Sequence, residues 1–155
     1  KDRHAYKYSL SFVVLSLLVS NSISIFGFKY VNLSDALISV ATFTIIGILY
    51  FIMITSLIHM TAKFVFKSAG NGTGFLNVVG LAYLVNVLLG NIPYLNLISA
   101  IWYYVIIWKT LIVTHKLTPL KSFLSILIVI GIMFIIITIA AVGIVKNVVQ
   151  EIKIN

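Results

Sequence analysis

A chain of 155 residues that is 61% hydrophobic and only 9% charged, with a mean hydropathy of +1.16, carries more apolar surface than a water-soluble domain of this size can cover, so hydrocarbon is the expected solvent. The net charge of +8 is scattered between apolar runs; it reads as a topology signal and as contact with anionic headgroups, and nucleic acid is not an expected partner. Cysteine is absent, which excludes disulfides, thiolate metal sites and cysteine nucleophiles. The chain opens on Lys1 rather than Met, so a leading segment is expected before it. No signal peptide with a small-residue cleavage site precedes the first apolar run.

That run spans about residues 9–28 and is about 30 Å long as a helix, one hydrocarbon thickness. Asn21, Ser22 and Ser24 interrupt it and are expected to face other helices. A short loop, 29–33, carries Lys29, and Ser34 is predicted as the N-cap and Asp35 as a first-turn acid of the next helix. The second run covers 36–58, and its helical pattern continues through His59, Lys63 and Lys67. A spacing of four puts these three on one helix face, with the lysines at headgroup level. The segment from Ala69 to Gly74 contains Gly70, Gly72 and Gly74 and stops the helix. It is read as a tight turn, because a phosphate-binding loop would need a following Lys and Ser/Thr.

The third run, 75–90, would be about 24 Å long, short for a full crossing, and a tilted or re-entrant segment stays open. Asn91, Ile92, Pro93 and Tyr94 end it. The fourth run, 95–114, holds Trp102, Tyr103, Tyr104 and Trp108, and Thr118-Pro119 is an N-cap and first-position pair for the fifth, 123–145. No linker divides the chain, so a single domain of five transmembrane spans, an all-α polytopic helical bundle, is expected. With the N-terminus inside, Lys1, Arg3, Lys7, Lys63, Lys67, Lys109, Lys116 and Lys121 fall on the cytoplasmic side and Lys29, Lys146 and Lys153 outside. Positive residues gather inside, so the N-terminus is assigned to the cytoplasm and the C-terminus to the opposite side.

Catalytic chemistry finds little material. Asp2, Asp35 and Glu151 lie near the ends or in a loop, so no carboxylate pair shares a span. His4, His59 and His115 are far apart in sequence and would converge only through folding. No catalytic residue, cofactor or metal is therefore expected. Lys109, alone inside an apolar run, reads as an interfacial anchor beside Trp108, with a headgroup contact as its functional alternative. Asn86 reads as an interhelical hydrogen-bonding amide, and Tyr103 and Tyr104 as packing residues.

From His59 onward the order of features resembles the Yip family, membrane proteins named for interaction with Ypt/Rab GTPases. The resemblance rests on the glycine-rich stretch Gly70-Asn71-Gly72-Thr73-Gly74-Phe75, on Gly80-Leu81-Ala82-Tyr83, and on His115-Lys116-Leu117-Thr118-Pro119-Leu120-Lys121-Ser122, and it covers about residues 37–145. It implies a five-span core and a cytoplasmic N-terminal region. The family's frequent proline in the third span is replaced by the neighbourhood of Val85 and Asn86, and the long N-terminal region of eukaryotic members is missing, which favours a prokaryotic relative. The expected function is non-enzymatic: organising lipid or recruiting partners, with membrane traffic as the role if the chain is eukaryotic. His59, Lys63, Lys67, Lys109, His115, Lys116 and Lys121 are the candidate headgroup or partner contacts, and Asn21, Asn86 and Tyr104 the intramembrane polar ones. The partners are then the bilayer, its anionic headgroups, and a membrane protein or second copy. Two alternatives stay open. One is a small transporter, channel or lipid-moving protein with a polar path along Asn21, Asn86, Tyr104, Lys109 and Thr110. The other is a structural subunit, with Gly131, Ala140, Ala141 and Gly143 facing a partner.

Overall fold

A computed structural model describes the backbone of residues 2–26, 32–92 and 94–154, and the side chains of 8–25, 32–92 and 94–143. The side chains of Lys1, Arg3, His4, Lys7, Lys29, Pro93, Lys146, Glu151 and Lys153, on which part of the topology reading rests, lie outside the described residues, as does the side chain of Asp2. The fold is all-α: α1 Asp2–Phe26, α2 Leu33–Met60 continued by a π-helical turn Thr61–Val65, α3 Gly72–Gly90, α4 Leu95–His115 and α5 Pro119–Ile154. Five of these stretches are long and apolar enough to cross a membrane, the third included. At 19 residues α3 is one unbroken helix of about 28 Å.

Local sequence explains the helix boundaries. Asn32, not Ser34, occupies the N-cap of α2, and Asp35 lies in its first turn as expected, where a negative charge suits the helix dipole. Asn71 caps α3, its side chain accepting from the Thr73 N–H at 2.9 Å. Pro119 opens α5, where its missing N–H costs nothing.

The helices pack in a closed circuit in which α1 meets α3, α3 meets α4, α4 meets α5, α5 meets α2 and α2 returns to α1. Small residues set the closest approaches. Gly80 on α3 lies directly against Ser9 on α1, whose hydroxyl donates to the Leu76 carbonyl at 2.8 Å. Gly47 on α2 receives Leu17. Aromatic rings fill the middle: Phe51 and Tyr83 lie 4.9 Å apart and Tyr83 and Tyr103 5.8 Å.

The exterior is apolar where that of a water-soluble protein is polar, and small hydroxyl side chains share the interior with the apolar core. Ser16, Thr55, Ser99, Ser122 and Ser125 are fully buried, while Ile38, Phe134, Ile135 and Ile139 are at least 59% exposed. Several buried hydroxyls are satisfied within their own helices: Thr55 donates to the Phe51 carbonyl at 2.6 Å, Thr110 to Ile106 at 2.7 Å and Ser125 to Lys121 at 2.9 Å.

Gly80→Val is expected to lower the melting temperature of the detergent-solubilised protein, because overpacking a tight contact costs about 1–3 kcal/mol. Gly131→Ala meets open space and should hold or raise it. Wild-type melting of G80V would show that α1 does not seat on α3 at this point.

Candidate functional site

At the end where α2 and α4 finish and α3 and α5 begin, folding joins two side chains separated by 56 positions. His59 Nδ1 and His115 Nε2 are 2.8 Å apart. Donor accounting fixes their tautomers. The Thr114 hydroxyl donates to the Thr110 carbonyl at 2.7 Å, so its oxygen must accept from His115 Nδ1–H, 2.9 Å away. A neutral His115 then presents Nε2 as acceptor, and His59 donates through Nδ1–H. The two rings are paired through a single shared proton position. A further proton fits on His59 Nε2 without breaking the chain, whereas charging both rings would set two donors against each other.

The glycine segment exists to reach this pair. A Cβ on Gly70 would stand 2.5 Å from His115 Cα, and one on Gly72 would stand 2.9 Å from the His59 ring. Gly74 has ordinary room, with Thr114 at 3.8 Å. None of the described glycines has positive φ, so close approach, rather than a turn that only glycine can make, is what excludes side chains at residues 70 and 72. Phe75 closes the arrangement with its ring edge-on to His115 at 5.3 Å, and the Asn71 N–H reaches the Thr114 carbonyl at 3.4 Å.

The π-helical turn corrects the predicted face of His59, Lys63 and Lys67. Phe66 N–H bonds to the Thr61 carbonyl and Ser68 N–H to Ala62, wider spacings that rotate the backbone off the α register. Lys67 then lies beyond the helix with φ 52°. Lys116, just past α4, has the same φ of 52°. A left-handed conformation costs a residue with a side chain about 1–2 kcal/mol, and glycine or asparagine is the ordinary choice at such a helix end. Both lysines, with Lys121, line a cavity of about 300 Å³ between the 66–69 segment and the turn from His115 to Lys121. Lys63 is exposed at the same end but does not line this cavity.

The remaining candidates go elsewhere. Lys109 is exposed over the Trp108 ring at 5.2 Å, and Trp108 Nε1–H donates to the Pro119 carbonyl at 2.8 Å, an arrangement that matches the anchor reading. Asn21 donates to Thr44 Oγ1 at 3.1 Å near the opposite end. Asn86 is half-buried on α3. Tyr104 lines a separate lateral cleft of about 220 Å³ between α2, α4 and α5, together with Tyr50, Ile126 and Met133. The predicted polar path is not assembled: Asn21 lies one turn from the far end of α1 and Thr110 one turn from the near end of α4. Among the described residues no group of three metal-ligating side chains occurs, so the two histidines fall short of a zinc ligand set. Sequence reasoning missed two contributors, the Thr114 acceptor and Ser68, whose buried Oγ has no partner. No known family model, curated protein or solved structure matches this chain.

His59→Leu and His115→Leu should each cost about 1–3 kcal/mol by stranding the other ring's buried nitrogen. The double variant should cost less than the sum of the two, read by thermal denaturation in detergent. Strict additivity would mean that the rings are not coupled.

Proposed function

We propose that this chain is a Yip-like multi-pass membrane protein, without enzymatic activity, that gathers anionic lipid or recruits membrane partners at its basic end. The observation that carries the reading is the collection of Lys63, Lys67, Lys116 and Lys121 at one end of the bundle. Among the described residues the only acidic side chain is Asp35, at the other end of α2. Each lysine near an anionic surface contributes about 1 kcal/mol, so four acting together would enrich acidic lipid several-fold.

The exposed aliphatic surface supports hydrocarbon as the solvent, since isoleucine and phenylalanine side chains each lose about 1.5–3 kcal/mol of burial free energy when left in water. The positive-inside rule then assigns the basic end, with the start of α1, to the cytoplasm, and the end of α5 to the opposite side. The non-enzymatic reading rests on the scarcity of acids and the absence of cysteine in the sequence. A transporter loses its main hint, because α3 is continuous and the polar side chains proposed for a path are not brought together.

The chain has no native cysteine, so single cysteines at residues 94, 118 and 155 give clean topology reporters. Tyr94→Cys and Asn155→Cys should label from one side and Thr118→Cys from the other; any other pattern rejects the topology. In nanodiscs of mixed phosphatidylcholine and phosphatidylglycerol, the wild type should retain phosphatidylglycerol several-fold above its bulk fraction, less so as salt rises. Replacing the four lysines by glutamate should abolish this, and equal retention by both proteins would count against the lipid-gathering role.

A further inference from the structure

Three features of the 300 Å³ cavity go beyond what general attraction to acidic lipid requires. First, Lys121 stands in the first turn of α5, where the helix dipole opposes a cation. Lys67 and Lys116 sit at helix ends whose partial negative charge suits them, but Lys121 gains nothing from its own helix. Second, Lys67 and Lys116 both hold left-handed backbone, where glycine would relieve the chain, and both line the same cavity. Third, Ser68 lines it too, and its buried hydroxyl oxygen has no hydrogen-bond partner, an exception in a fold whose other buried hydroxyls are paired. No described carboxylate is available to neutralise these lysines, since Asp35 lies at the far end.

We propose that this cavity is a binding site for a phosphomonoester, borne either by a lipid headgroup or by a small soluble molecule. The inference rests on the basic-end reading above and adds the chemistry of the ligand. Three lysine charges and about half a charge from the α5 N-terminus, offset by about half a charge from each of the two helix C-termini, leave about +2.5. A phosphomonoester carries about −1.5 to −2 and three acceptor oxygens. Three ammonium groups supply donors for all of them, and the Ser68 hydroxyl, shielded from solvent beside the cavity, adds another by a turn about χ1. A carboxylate or phosphodiester brings a single charge and leaves donors unmet. The volume lies at the lower limit of small-molecule pockets, the scale of a headgroup and not of a peptide.

The glycine variants make the test independent of folding. Lys67→Gly and Lys116→Gly relieve the left-handed backbone, so the unliganded protein should melt at or above the wild-type temperature while its ligand response disappears. The probes are inorganic phosphate and glycerol 3-phosphate, titrated against the detergent-solubilised protein, and nanodiscs containing phosphatidic acid or a charge-matched amount of phosphatidylglycerol. The wild type should select phosphatidic acid over phosphatidylglycerol. K67G, K116G and K121A should each lose about tenfold or more in that selection and S68A several-fold, with K63A unchanged. Saturable thermal stabilisation by glycerol 3-phosphate at the affinity seen for phosphatidic acid identifies a soluble ligand; selection confined to nanodiscs identifies the lipid. Equal retention of both lipids together with no response to either soluble phosphate overturns the site, as does full selection by K116G. If both lipids are enriched alike and both are lost on charge reversal, the basic-end reading survives and the phosphomonoester site falls. Selection of phosphatidic acid without general enrichment of acidic lipid gives the reverse.

Discussion

One hydrogen bond between two imidazoles ties together two helix ends at the basic end of this bundle. His59 belongs to α2 and His115 to α4, and their 2.8 Å contact brings the ends of those helices together. The loop between α2 and α3 must then cross the rings at a distance that admits no Cβ at residues 70 and 72. That crossing places Asn71 where it both caps α3 and meets the Thr114 carbonyl. It also leaves Ser68 and Lys67 facing the turn that carries Lys116 and Lys121. The lysine-lined cavity therefore lies directly beside the histidine pair, with His115 in its wall. Neutrality matters because a pair of imidazolium rings has no acceptor between them.

The rest of the bundle is held by economical polar contacts inside an apolar frame. Buried serines and threonines turn their hydroxyls onto their own helix carbonyls, which lets neighbouring backbones approach without leaving a donor unmet. At the far end the pattern is interhelical. Asn91 donates to Ser20 at 2.7 Å and accepts from Ser24 at 2.9 Å, and Asn21 ties α1 to α2 through Thr44. Both ends are therefore clamped by side-chain hydrogen bonds, while aromatic rings and branched aliphatics fill the middle. Were the solvent hydrocarbon, apolar packing alone would give little preference for helix over lipid, and such polar clamps and small-residue contacts would weigh most in the arrangement.

The helices are legible as long apolar runs between polar breaks, and Thr118-Pro119 marks the start of α5 by residue type, whereas the Asn71 cap of α3 is hidden among glycines. The histidine pair was not legible. A separation of 56 positions carries no local signal, and only the three-dimensional return of α4 beside α2 creates the contact. The glycine segment was read as a turn because glycine density marks turns and close approach equally well. Lys67 was placed on the face of His59 and Lys63 by a period of four that a single π-helical turn invalidates, and nothing in Thr61-Ala62-Lys63-Phe64-Val65 announces that turn. Lys109 meets Trp108, the neighbour that the sequence reading pairs it with, because the two are adjacent in the chain.

The left-handed lysines separate a merely basic end from a built one. Lysines scattered for topology could take any backbone conformation, and selection for stability alone would favour glycine at both helix ends. Retaining Lys67 and Lys116 there costs about 1–2 kcal/mol each. Electrostatics at the helix C-termini returns about 0.3–1 kcal/mol per cation, and less in salt. The difference is unexplained by the fold itself, and Lys121 in the first turn of α5 adds to it. An anion shared by the three lysines would supply the missing stabilisation, and it would do so only where the histidine pair has already brought the two helix ends together.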